Sequence, residues 1–432
     1  MSFFQPRNIW LVIMVAAIGV SMYVREESKT PDIEVLKTKQ ISMMVKMLAS
    51  QALVVAKVPG PLTDGVKKQI KDQLGDIETK LPEREIFPVQ KFIILSEIGE
   101  SVSLPDMGNK ALIADLKLIY VDRTPAADNS PLFAIAGGDL ARLKSLSLNK
   151  PKEAEALRAG LEARASFMEM VLGGSAFFGL GVFFAGLAVT YWFFRKIPPA
   201  VFFESLGLID PERQRLLLES AVLYVFLVFP VGAAFGKQVA HLFPNATLFA
   251  LVHLTIAFFA SCGYYALNAG PGSLRMLAVG QVTDPMKEVA VGVMGFAAIF
   301  PPALLALLLT MGSAAQDSVR IAHPISFEIQ KNPVLVFILA AVLVPIFEEV
   351  IFRCFLYGFF RREQRIRYAA FFSGSIFAIL HPQGAIALPY LTILGMGLAV
   401  LREYRPSPLA SMTAHACVNG TAVILGYAFT AL

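Results

Sequence analysis

The chain has 432 residues, of which 56% are hydrophobic and only 16% charged, with a mean hydropathy of +0.60 and a formal charge of +5. That balance excludes an ordinary soluble protein and fits an integral membrane protein. Most basic residues flank apolar runs, so membrane topology accounts for them and nucleic acid is not an expected partner.

Ile9 to Val24 is an apolar run behind Arg7 and ahead of Arg25-Glu26-Glu27, with no convincing small-x-small cleavage signal. It reads as an uncleaved signal anchor occupying residues 1–25. Residues 26–168 are the only sizeable polar portion and are expected to form a helix-rich domain outside the membrane. Ile41–Val58 and Leu62–Leu81 have helical patterning, Asn109–Val121 suits a helix or a strand, and Phe133–Phe167 reads as two helices broken near Asn149-Lys150-Pro151. Charges of alternating sign make a solvated helical surface the bland reading here, and substrate capture the sharper one.

From residue 169 to 432 the pattern is a transmembrane core of about eight helices. Spans are predicted near 170–194, 219–236, 247–268, 288–310, 333–356, 369–381, 385–401 and 408–430, nine with the anchor. The run 369–381 is too short for a hydrocarbon core of about 30 Å. Thirteen Lys and Arg fall on the segments predicted to be inside, against Lys237, Arg320 and Lys331 outside. This places the N-terminus inside and residues 26–168 outside, in what reads as a bacterial cytoplasmic membrane. Phe202–Leu218 suits either an interfacial segment or a polar linker. Cys262, Cys354 and Cys417 lie in apolar stretches with no paired spacing, as packing residues do. The expected fold is therefore an all-α polytopic membrane protein with an extramembrane helix-rich N-terminal domain.

Ionisable groups inside spans cost a few kcal/mol, about 2.5–3.5 at the midplane, and need a reason to be there. The span at 333–356 carries Glu348, Glu349 and Arg353; the next carries His381, and the last His415 and Asn419. Glu349 and Arg353 stand four apart, on one helical face, where they can pair, while Glu348 is rotated by about 100° and free for chemistry. Pro345 can bend the helix beside them, and Pro382-Gln383-Gly384 should end the helix at His381. A broken helix at membrane depth is tolerated where it lines a wet cavity, so the polar sites are expected to converge on one. There Glu348 suits a general base, His381 a partner for its water, and His415 with Asn419 donors to an oxyanion. Glu348, His381 and His415 equally suit a divalent metal such as zinc, which would activate the same water.

Glu348-Glu349-x-x-x-Arg353, Phe377-x-x-x-His381 and His415-x-x-x-Asn419, in that order on successive spans, resemble the three motifs of the CAAX-protease and bacteriocin-processing family of intramembrane endopeptidases. The motifs lie within 333–430 and the resemblance extends to 170–432 as a membrane core; residues 26–168 fall outside it. It implies that Glu348 and His381 activate water, His415 and Asn419 bind the oxyanion, Glu349 with Arg353 braces the site, and Phe377 packs against it. It leaves the cofactor open between none and a metal. Eukaryotic members trim the last three residues of prenylated proteins, and bacterial members are linked to bacteriocin maturation or self-immunity, so the implied partner is a membrane protein or peptide. The competing functions are a non-catalytic scaffold or immunity protein, and an ion-coupled transporter. Carriers often carry two related halves, and no second copy of the Glu-Glu-x-x-x-Arg motif occurs.

Overall fold

The computed structural model describes residues 6–27, 41–42, 44–53, 55, 61–80, 86–106, 109–196, 211–280, 282, 284–313, 329, 332–381 and 387–430. Among them there is no strand, and the chain is all-α. The helices are α1 (Pro6–Glu27), α2 (Pro61–Lys80), α3 (Phe87–Glu97), α4 (Lys110–Tyr120), α5 (Gly138–Asn149) and α6 (Pro151–Lys196). Next come α7 (Pro211–Phe226, a π turn at Leu227–Val231, then Gly232–Ala240), α8 (Ala246–Ala269), α9 (Ser273–Ala278) and α10 (Pro285–Ser313). The long α11 runs from Pro333 to Glu363, followed by α12 (Ile366–Leu380), α13 (Leu388–Glu403) and α14 (Leu409–Thr430).

Local sequence explains many of the starts. Helices α1, α2, α6, α7, α10 and α11 each begin on proline, whose missing N–H costs nothing in the first turn. Asn109 and Asn245 cap α4 and α8 by accepting from Ala111 N and Leu248 N. The break expected near Asn149-Lys150-Pro151 separates α5 from α6, and Asn109–Val121 is helical. Of the segment expected at Phe202–Leu218, residues up to 210 lie outside the described residues, and Pro211 onward is the start of α7. Pro382-Gln383-Gly384 also lies outside them.

The chain divides into two compact units, one of Met1–Ile33 with Ala176–Tyr427 and one of Glu34–Ser175 with Ala428–Leu432. In the second, Leu48, Ile70, Leu74, Ile93, Ile94 and Leu116 are among the residues of one apolar core. Each such side chain removed from water contributes about 1.5–3 kcal/mol.

The first unit is built for lipid. Among the described residues of the chain, six helices are long and apolar enough to cross a membrane, among them Pro211–Gly236, Pro285–Leu309 and Pro333–Glu363 of this unit. Of the remaining expected spans, Ile9–Val20 and Ile366–Leu380 are shorter apolar helices, and α13 has 16 residues. At 1.5 Å per residue α12 and α13 rise only about 24 Å or less, whereas Ile9–Val20 is the apolar part of the 22-residue α1, which rises about 33 Å. Met14 and Ala17 of α1 join the same core as Leu217 and Val225 of α7. Helix α12 lies along α13 with Gly374 against Gly395, where a Cβ on Gly374 would stand 2.8 Å from Met396 N and Thr392 O. Phe177, Phe184 and Trp192 on α6 remain exposed, as a lipid-facing surface requires.

Several arginines that the charge pattern uses for topology are also structural. Arg361 Nε donates to Glu403 Oε1 at 3.0 Å and Tyr357 Oη to Glu403 Oε2 at 2.6 Å. Arg405 Nε donates to Glu288 Oε2 at 3.0 Å, and Arg362 to Gln214 Oε1 at 2.7 Å. These bonds fasten α11 to α13 and α7, and α10 to the residues just after α13.

Candidate active site

The geometry begins with α11. Pro345 cannot donate a backbone hydrogen bond, and the helix is widened on both sides of it into π turns, Ile338–Leu343 and Glu349–Leu356. Turns of this kind disturb the backbone ladder, and in an apolar medium any freed carbonyl must find a donor. In each π turn a carbonyl receives a side chain from a neighbouring helix. Asn419 Nδ2 of α14 donates to Ala340 O at 2.8 Å, and Ser373 Oγ of α12 to Phe352 O at 2.9 Å. In α7, where Pro230 lies inside the π turn, His253 Nε2 of α8 faces Val228 O at 3.3 Å.

Glu349 and Arg353, four apart, form a fully buried ion pair with Oε2 and Nε 3.4 Å apart. Arg353 Nη1 donates to Ser373 Oγ at 3.2 Å, and its guanidinium carbon lies 4.9 Å from the Phe377 ring centre. A desolvated charge is tolerable only with such partners. Glu349 Oε1 then meets His415 Nδ1 at 3.1 Å, and the other ring nitrogen of His415 lies 3.6 Å from Glu348 Oε2. A carboxylate only accepts, so Nδ1 carries the proton and Nε2 is the nitrogen turned to Glu348. Two carboxylates therefore flank one imidazole, with Arg353 as the permanent cation.

Exposure separates the two glutamates. Glu349 and Arg353 are at 0% and His415 at 2%, whereas the Glu348 side chain is 17% exposed. Glu348 is the partly exposed member of the cluster, although its Oε2, the oxygen that faces His415, is buried. On α12, Ser373, Phe377 and His381 follow at four-residue intervals and form one stripe. Phe377 is fully buried, with its ring centre 4.2 Å from that of His381 and 5.7 Å from that of His415. His381 closes α12, and its Nδ1 donates to Phe377 O at 2.7 Å, leaving Nε2 as the basic nitrogen of the neutral ring.

The structure thus brings Glu348, Glu349, Arg353, Phe377 and His415 into one linked cluster and sets His381 against Phe377. Asn419 lies one helical turn beyond His415, and its amide donates to the α11 backbone. Among the described residues, no three His, Cys, Asp or Glu side chains form a group that would hold a metal ion. Glu348 and His415 give two donors, where a catalytic zinc takes three protein ligands. The arrangement does not fit a resident zinc.

Ser373 is the residue that sequence reasoning passed over. Its signal was positional, a lone hydroxyl four residues before Phe377. The backbone acceptors Ala340 O and Phe352 O had no sequence signal.

No curated protein and no solved structure matches the chain. Residues 330–421, which hold every member of the cluster, have a partial similarity to the family described as type II CAAX prenyl endopeptidase, Rce1-like.

Proposed function

We propose that this protein is an intramembrane endopeptidase that hydrolyses a peptide bond of a membrane-associated protein or peptide. Support comes above all from His415 standing between Glu349 and Glu348, with only Glu348 partly open. Buried Glu349 orients the imidazole and balances the charge it gains, as the third member of a triad does. Glu348, facing Nε2, takes a proton from water as that water attacks the scissile carbonyl. The proton is handed to the leaving amine, with His415 Nε2 holding it in transit. His381, on the stripe that Phe377 joins to the cluster, orients the same water by accepting its hydrogen bond at Nε2. The second N–H of the Asn419 amide is a further candidate donor to that oxyanion. Phe377 and Phe352, in edge contact at 5.3 Å, keep solvent from Arg353.

The reading is tested by expressing wild-type protein and Glu348→Gln in cells and mapping new N-termini of membrane proteins. Cleavage sites that appear with the wild type and vanish with Glu348→Gln support it. Identical maps would leave a non-catalytic membrane role.

A further inference from the structure

We propose that Ser373 is a positioning residue of this site, holding Arg353 on α11 in fixed register with the stripe of α12 that ends in His381. Its side chain is completely buried, and both functions of its hydroxyl are used within α11. Oγ donates to Phe352 O at 2.9 Å, within the π turn, and accepts from Arg353 Nη1 at 3.2 Å. That contact is shorter than the 3.4 Å between Arg353 Nε and Glu349 Oε2. Among the described residues Arg353 Nη2 has no hydrogen-bond partner, so Ser373 restrains the outer end of the guanidinium while Glu349 pairs with its Nε side. The hydroxyl comes from a rigid platform, because the next residue, Gly374, is pressed against the α13 backbone at Met396 N and Thr392 O. Phe377, one turn on, lies over the same guanidinium, and His381 one turn further completes the stripe. Without the hydroxyl, the chain Arg353–Glu349–His415 and the stripe Phe377–His381 lose their common reference.

This role deepens the peptidase reading, but part of its test is independent of it. Full-length Ser373→Thr and Ser373→Val add the same bulk and differ only in the hydroxyl. In histidine-selective 15N spectra, with His415 assigned by its loss in His415→Gln, Ser373→Val should displace the His415 signal and Ser373→Thr should restore it. With a cleavable substrate, Ser373→Val should lower kcat tenfold or more relative to Ser373→Thr while KM stays within about twofold. Thr and Val variants with the same His415 signal and the same kcat would overturn the role. A wild type that cleaves nothing would sink the peptidase reading and leave the spectra to decide Ser373. If neither branched variant folds, Ser373→Ala against wild type gives the same two readings.

Discussion

His415 Nδ1 and Glu349 Oε1 stand 3.1 Å apart with both side chains buried, which turns the other ring nitrogen to Glu348 and gives the two glutamates different tasks. Glu349→Gln removes the charge that balances Arg353 and should destabilise the protein by about 3–5 kcal/mol, the cost of stranding a buried ion. Glu348→Gln should leave stability within about 0.5 kcal/mol, because its partner is 3.6 Å away and its side chain is partly exposed. Thermal unfolding of the two variants in one detergent checks the contrast; equal losses would contradict it.

Gly374 and Gly395 set the spacing of the α12–α13 pair. A methyl at Gly374 meets backbone atoms at 2.8 Å and cannot be accommodated by rotating a side chain. Gly374→Ala should cost about 1–3 kcal/mol and displace His381 with its helix. Gly263 of α8 has nothing within 4 Å of its added Cβ, so Gly263→Ala should be neutral or mildly stabilising, by up to about 1 kcal/mol. Chemical unfolding of both variants separates them.

Asn419 serves the α11 backbone. Asn419→Ala leaves Ala340 O without this donor and should cost about 1–3 kcal/mol. Asn419→Asp, which puts an acceptor against the carbonyl, should cost more. Unfolding of both variants measures the order, and a more stable Asn419→Asp would contradict the hydrogen bond at 2.8 Å.

In the other unit, Tyr120 Oη donates to Glu97 Oε1 at 2.8 Å, and Lys144 Nζ lies 4.5 Å above its ring. Burial first, and the Glu97 charge second, hold the phenol well above its usual pKa near 10. A folded value raised above the unfolded one means that this contribution is intact below about pH 10 and is lost as pH rises through the folded value. The wild-type minus Tyr120→Phe difference in phenolate absorbance should stay flat through pH 10 and rise only well above it. A rise centred near pH 10 would contradict the burial.

Much of this was legible because it followed from local rules. Proline at helix starts, apolar runs and charges within them place the spans, and the four-residue spacing of Glu349 with Arg353 places an ion pair. The roles of His415 and Asn419 were less legible, because hydrogen-bond partners depend on helix packing. His415 turns to two carboxylates and Asn419 to a carbonyl exposed by a π turn, and a π turn has no periodicity signature distinct from that of an ordinary apolar helix. Ser373 was hidden for the same reason, since its meaning lies in Phe352 O and Arg353 Nη1 on another helix. Runs 369–381 and 385–401 resolve into the short pair α12 and α13, whose close approach depends on the two glycines.

The most direct test of the central claim is the cleavage rate of one mapped membrane substrate by purified wild type and by Glu348→Gln of equal thermal stability. The account predicts a loss of about a hundredfold to ten-thousandfold in kcat, the usual contribution of a general base. Rates within threefold of each other would contradict it.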